Sequence, residues 1–151
     1  MTPAPLYALL FINLTANLFM LGLIWFVQIV HYPLFAATGR DQFTRYESQH
    51  ASLTTLVVGP PMLAELAASL ALAAFATGGR LPAWALWSSV ALVGIIWLST
   101  AFLQVPCHDA LQRGFDVGTH QFLVNSNWIR TIAWSLKAAI SVYLCWKVIV
   151  P

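Results

Sequence analysis

Leu81-Pro82-Ala83-Trp84-Ala85-Leu86-Trp87-Ser88-Ser89-Val90-Ala91-Leu92-Val93-Gly94-Ile95-Ile96-Trp97-Leu98-Ser99-Thr100-Ala101-Phe102-Leu103-Gln104-Val105 contains no ionic side chain. A helix needs about 20 predominantly apolar residues to cross a bilayer, so this stretch is long enough to do so. Three other stretches have the same character. Residues 6–30 are free of ionic groups, 53–76 carry only Glu65, and 122–148 carry Arg130, Lys137 and Lys147. Four spans fill the chain as one transmembrane domain over 1–151, an all-α integral membrane four-helix bundle.

The composition agrees. Of 151 residues, 60% are hydrophobic and 8% charged, with a mean hydropathy of +0.76. A soluble domain is typically about 25% charged. This balance excludes a secreted disulfide scaffold and a disordered tail. It also excludes a nucleic-acid binder, whose basic surface needs far more than seven Lys and Arg. The lipid bilayer is the expected main solvent. Met1-Thr2-Pro3-Ala4-Pro5 supplies no basic residue ahead of the first span, and that span is too long for a signal-peptide core, so it is expected to stay in the mature protein.

The connections are unequal. Thr77-Gly78-Gly79-Arg80 forms a tight hairpin between the second and third spans, with Pro82 near the next start. The opposite face carries segments 31–52 and 106–120, with Arg40, Asp41, Arg45, Glu47, Asp109, Arg113 and Asp116. Thr38 reads as an N-cap with Asp41 three residues later, so a polar helix is expected to start near Gly39 and run towards the second span. Its aromatic residues Phe43 and Tyr46 lead to His50. The Lys/Arg bias that sets orientation is nearly balanced: Arg40, Arg45 and Arg113 face Arg80, Lys147 and the amino terminus. The longer-loop face is expected to be cytoplasmic. Cys107 and Cys145 fall at opposite faces, too far apart for a disulfide.

Helical periodicity collects the polar residues into stripes, which in a lipid-embedded bundle should face inward. Asn13, Asn17, Gln28 and His31 share one face of the first span; His50, Thr54, Pro61 and Glu65 share one of the second. Thr100, Gln104 and His108 do so on the third, with Pro106 bending or ending the helix. His120, Asn127, Lys137 and Ser141 do so on the fourth, with Arg130 at the edge. All four histidines thus gather at the longer-loop face, one per helix. At 1.5 Å per residue, Gln28, Gln104 and Thr54 lie about 5–6 Å below them, Asn127 and Arg130 about 10–15 Å, and Glu65, Lys137 and Asn17 about 20–25 Å.

Neutral imidazole is the commonest metal ligand, and bundles host cofactors between facing helices. His31, His50 and His108 are therefore the expected ligands of a transition metal (iron, copper or zinc) or a b-type haem, each from a different helix, with Gln28 and Gln104 beside the cofactor. The plainer reading of the same histidines is an interfacial position; His120 simply helps start the fourth span beside Thr119. Glu65 is either an ion-pair partner of Arg130 or Lys137, or a proton relay, a general base or, with the helices offset, a metal ligand, while Lys137 is expected to snorkel. Asn127 and Arg130 either fix helix packing or meet an anionic group such as a quinone oxygen or carboxylate. Pro60-Pro61 is expected to break the second span between His50 and Glu65, either opening a cavity or only bending the helix. An internal echo links Ile24-Trp25, Gln28, His31 and Pro33 with Ile96-Trp97, Gln104, Pro106 and His108.

Trp25-Phe26-Val27-Gln28-Ile29-Val30-His31-Tyr32-Pro33-Leu34-Phe35, Gly59-Pro60-Pro61-Met62-Leu63-Ala64-Glu65-Leu66 and Asn127-Trp128-Ile129-Arg130-Thr131 resemble blocks in a family of small, uncharacterised four-helix bacterial membrane proteins. That resemblance spans nearly the whole chain and implies a place in the bacterial cytoplasmic (inner) membrane. In size and helix count the chain is also similar to anthrone-oxygenase-like membrane proteins, although no histidine stands just before Arg130. This second similarity implies a membrane oxygenase and nothing at the level of residues. The expected function is a small membrane oxidoreductase acting on a hydrophobic molecule such as a quinone or polyketide, with Glu65, Asn127 and Arg130 as catalytic residues. The alternatives are a proton-coupled transporter or channel, which four helices make only as a homo-oligomer, and a non-catalytic membrane subunit.

Overall fold

A computed structural model describes residues 3–79 and 81–150; Arg80 and the amino-terminal Met1, both part of the charge balance above, lie outside them. Helix α1 spans Pro3–Phe26 and is followed by a π-helical turn, Val27–His31, the short helix α2, Tyr32–Leu34, and a 3-10 turn, Phe35–Ala37. Helix α3 runs Arg40–Ala76, α4 Ala83–Ser99, a second π-helical turn Thr100–Gln104, α5 Val105–Leu111 and α6 Val117–Ile149. Four helical stretches, Ala4–Ala37, Arg40–Ala76, Ala83–Leu111 and Val117–Ile149, are long and apolar enough to cross a membrane. The chain is a multi-pass membrane protein by length and composition.

Helix α1 packs on α3 and α6, and α4 packs on α6 and α3, so sequence neighbours are neighbours in space around a square. This is the up-down-up-down arrangement that short connections favour. Gly78, with φ +87°, follows the C-cap Thr77 of α3 and turns the chain in the left-handed conformation that glycine adopts without steric cost. The outward surface is apolar, with Phe11, Leu56, Phe75 and Phe102 among the most exposed side chains, as lipid contact demands.

Inside, apolar and polar layers alternate. Leu10, Leu72, Leu86 and Leu144 pack together at the hairpin end; Met20, Ile24, Met62, Ile96 and Trp134 fill the middle. Tyr32, Phe35, Phe43, Leu111 and Leu123 close the other end. The polar stripes fill the two gaps between these clusters. Asn13, Asn17, Gln28, Glu65, Gln104, Asn127, Arg130, Lys137 and Ser141 are all buried, as the periodicity predicts.

Three local expectations change. The cap of α3 is Gly39 rather than Thr38, and no side chain caps it; Thr38 is extended and spends its N–H on the Phe35 carbonyl. Pro60 and Pro61 lie inside an unbroken α3. They leave the carbonyls of residues 56 and 57 without helical donors, yet neighbouring packing carries the helix through. The interruptions fall instead at the two π turns, each ending two residues before a proline, Pro33 or Pro106. There the Tyr32 N–H reaches back to the Val27 carbonyl and the Val105 N–H to the Thr100 carbonyl, five residues away. Widening the turn moves the carbonyl of residue i−4 out of the proline ring's path. The echo between spans one and three is thus present in the backbone, and Pro106 neither ends nor sharply breaks its helix. The start of α6 is capped by Asp116, whose carboxylate accepts the Thr119 N–H; that bond holds the Asp116 pKa below its ordinary value.

Candidate functional site

The first π turn and α2 bring His31 and Tyr32 to the bundle's longer-loop end, opposite Glu47 and His50 on α3 and His108 on α5. Each of Glu47, His50 and His108 offers one ligand atom, and these atoms lie within 4.8 Å of one another. Glu47 is 0% exposed. Its Oε1 contacts His108 Nδ1, while Oε2 has no hydrogen-bond partner. A buried carboxylate oxygen left unpaired in an apolar surround is costly, and it is a ready ligand for a cation.

The tautomers are set by the partners. A carboxylate only accepts, so His108 Nδ1 carries the proton that faces Glu47. Its Nε2 therefore accepts from the Tyr32 phenol, 2.9 Å away. Tyr32 Oη in turn accepts from Arg130 Nη2 at 3.2 Å. Glu47, His108, Tyr32 and Arg130 make one connected line. His50 joins from the side: Nδ1 lies 3.0 Å from His31 Nε2 and 3.1 Å from Thr54 Oγ1, which leaves its Nε2 as the ring nitrogen open to a ligand.

Beside this line is a cavity of about 240 Å³ lined by apolar side chains of α1 and α3 and by His31, Tyr32, His50, Thr54, Arg130 and Trp134. Phe26, Leu53 and Val57 form part of its wall and are themselves largely exposed, so the cavity opens sideways between α1 and α3. It adjoins Pro60-Pro61 through Val57, Val58 and Met62.

The expected residues separate into three groups. His50 and His108 come together, whereas His31 stands behind His50 and outside the ligand group. Glu47 takes the third place, and it shares α3 with His50, so the ligands do not each come from a different helix. The signal for it is Glu47-Ser48-Gln49-His50, a Glu-x-x-His spacing that puts both side chains on one helical face. Tyr32 gives no such signal, because an aromatic residue near a membrane surface is ordinary.

Gln28 and Gln104 lie at the edge of this site but do not line the cavity. Gln28 donates to the Val124 carbonyl at 3.1 Å and accepts from Asn127 Nδ2 at 2.9 Å. Gln104 accepts from Ser99 at 2.9 Å and donates to Ser126 at 3.1 Å. Asn127 completes its bonding by accepting from Arg130 Nε at 2.9 Å. His120 is buried and donates Nε2–H to the Tyr32 backbone carbonyl at 2.8 Å, which fixes the segment that presents the phenol.

Glu65 belongs to a separate, deeper layer. It pairs with Lys137 Nζ at 3.0 Å, not with Arg130, and accepts from Asn17 at 2.9 Å and from the Trp134 indole at 3.0 Å. Lys137 does not snorkel: it is 0% exposed and also donates to Asn13 Oδ1 at 2.9 Å. Mid-span, its tail is too short to reach either surface, and the buried carboxylate is the nearer partner. Asn13 continues the layer to Ser141 at 3.0 Å and accepts from Ser69 at 3.0 Å. Cys107 and Cys145 are both free thiols. The chain matches no protein-family model, no curated protein and no solved structure.

Proposed function

We propose that the protein is a small membrane oxidoreductase of the oxygenase kind, with a mononuclear iron site at Glu47, His50 and His108 and a hydrophobic substrate in the adjoining cavity. The observation that carries this reading is the grouping of two imidazoles and one buried carboxylate within 4.8 Å, with His50 also lining the cavity. Two histidines and one carboxylate with open positions are the ligand set of non-haem iron(II) oxygenases. The His50 and His108 rings lie 5.2 Å apart, centre to centre, too close to ligate from opposite faces of a porphyrin, which favours a single ion over a b-type haem. Copper or zinc would find the same ligands.

The surrounding residues have matching roles. With a cation held by Glu47 and His108 Nδ1, the single proton of the neutral His108 imidazole would shift from Nδ1 to Nε2 and be donated in a hydrogen bond to Tyr32. Tyr32 Oη then accepts from both His108 and Arg130, and its own O–H is turned towards the cavity, where it can donate to a substrate oxygen. His31 and Thr54 on Nδ1 orient His50, the outer support that metal-ligating histidines normally have. The lateral opening would admit a hydrophobic molecule from the bilayer. A proton-coupled transporter working through Glu65 has less support, because Glu65 is occupied by Lys137, Asn17 and Trp134 and does not line the cavity.

The test is elemental analysis of protein purified in mild detergent without chelators, followed by anaerobic iron(II) titration. Stoichiometric iron is expected in the wild type and in His120→Ala, and its loss in Glu47→Ala, His50→Ala and His108→Ala. A wild type that binds no iron, copper or zinc, or Glu47→Ala, His50→Ala and His108→Ala variants that each retain the metal, would overturn the reading.

A further inference from the structure

Arg130 is the one cation of the bundle interior without a carboxylate partner among the described residues. Its guanidinium has five N–H donors and cannot lose its charge. Four contacts use them, two to Asn127 Oδ1, one to Tyr32 Oη and one to Thr100 Oγ1 at 3.4 Å. Every acceptor is neutral, and one N–H of Nη1 is left over. Arg130 is 8% exposed and lines the lateral cavity. The two buried carboxylates are committed elsewhere, Glu65 to Lys137 and Glu47 to His108. An intramembrane charge held this way normally faces a functional partner.

We propose that the cavity binds a single-chain anionic amphiphile, with a carboxylate or equivalent oxyanion head on Arg130 and its tail leaving between α1 and α3. As the substrate class of the proposed enzyme, this rests on the iron reading, since a divalent ion on Glu47 beside Arg130 leaves the layer two positive charges in excess. An anionic head removes part of that excess; a neutral or cationic head does not. At roughly 30 Å³ per water, 240 Å³ holds about eight waters, enough for a head group and the first few methylenes. The aliphatic part of the wall, including Leu23, Val58 and the adaptable Met20 and Met62, suits a flexible chain. The rest of the tail then lies along the exposed Phe26, Leu53 and Val57 in lipid.

The test is equilibrium binding of radiolabelled decanoate to the protein in nanodiscs, with decanol and decyltrimethylammonium as competitors and iron content measured on each sample. Decanoate is expected to bind saturably and decanol at least about tenfold more weakly, the worth of one charge-assisted hydrogen bond. Arg130→Gln is expected to bring decanoate to the decanol level, whereas Arg113→Gln, at the exposed surface, leaves it unchanged. Should Arg130→Gln not fold, Val58→Trp, which narrows the cavity while keeping the Arg130 side chain, is expected to abolish decanoate binding while the particle stays monodisperse. Equal affinity for decanoate and decanol, or decanoate binding that survives in a folded Arg130→Gln or Val58→Trp, overturns the proposal. Selective decanoate binding without iron sustains the anion site and removes the metal reading; iron without selectivity does the reverse.

Discussion

The two polar layers of the bundle are built from the same kinds of residue and differ in how completely they satisfy one another. In the deep layer the Glu65 carboxylate accepts from Lys137, Asn17 and Trp134, and Asn13 ties the pair to Ser69 and Ser141. Only one amide oxygen there, Asn17 Oδ1, goes without a partner. In the upper layer a carboxylate oxygen of Glu47 goes unpaired, Arg130 meets only neutral acceptors, and a cavity opens against both histidine and arginine. Closed charge balance is what structural cross-linking needs; open charge balance beside a cavity is what chemistry needs. Trp134 joins the layers, donating to Glu65 and lying under the Arg130 guanidinium at 6.0 Å.

That contrast is open to attack from either layer. The largest effect is expected from Lys137→Met, which strands the Glu65 charge in the apolar interior and should cost about 3–5 kcal/mol. Denaturant titration in detergent measures it, and Glu65→Leu added to Lys137→Met should recover most of the loss. Iron stoichiometry should be unchanged in the double variant; its loss would erase the distinction between the layers. A smaller effect is expected from His31→Ala, about 10–100-fold in iron affinity with little change in stability, because His31 supports His50 without ligating. Complete loss of the metal would promote His31 to a ligand. Smallest is Gln104→Ala, which removes one interhelical bond, to Ser126, of a kind worth about 0.6 kcal/mol on average and at most about 1.7. Unfolding should register it and iron titration should not.

Much of this arrangement is legible in the sequence, because a long helix keeps its period. Asn13, Asn17, Met20 and Ile24 share a face in α1, and all are buried. The same period puts Glu65, Lys137 and Asn17 at one depth, where they meet. The upper layer is less legible, for two physical reasons. A π turn advances the chain by an extra residue, so a helical wheel drawn through residues 27–31 or 100–104 misplaces every side chain beyond the turn. Charges near a span end also read as headgroup contacts, which hides Glu47 despite its Glu-x-x-His spacing with His50. Reach alone misjudges Lys137; depth within the span decides whether a lysine tail can find water.

Each π turn holds one residue more than an α-helical path between the same ends would need, and the upper end of the bundle depends on that surplus. Deleting a single residue from Val27–His31 would restore ordinary winding between the same ends, re-aiming Gln28 and His31 within the turn while leaving Tyr32 beside Arg130 and His108 and the span apolar and long enough for the bilayer. The membrane tolerates either length. In evolutionary terms a one-codon insertion ahead of a proline is therefore a small event with a local consequence: it re-aims a side chain inside a bundle whose outer surface, and whose deep ion pair, need not change at all.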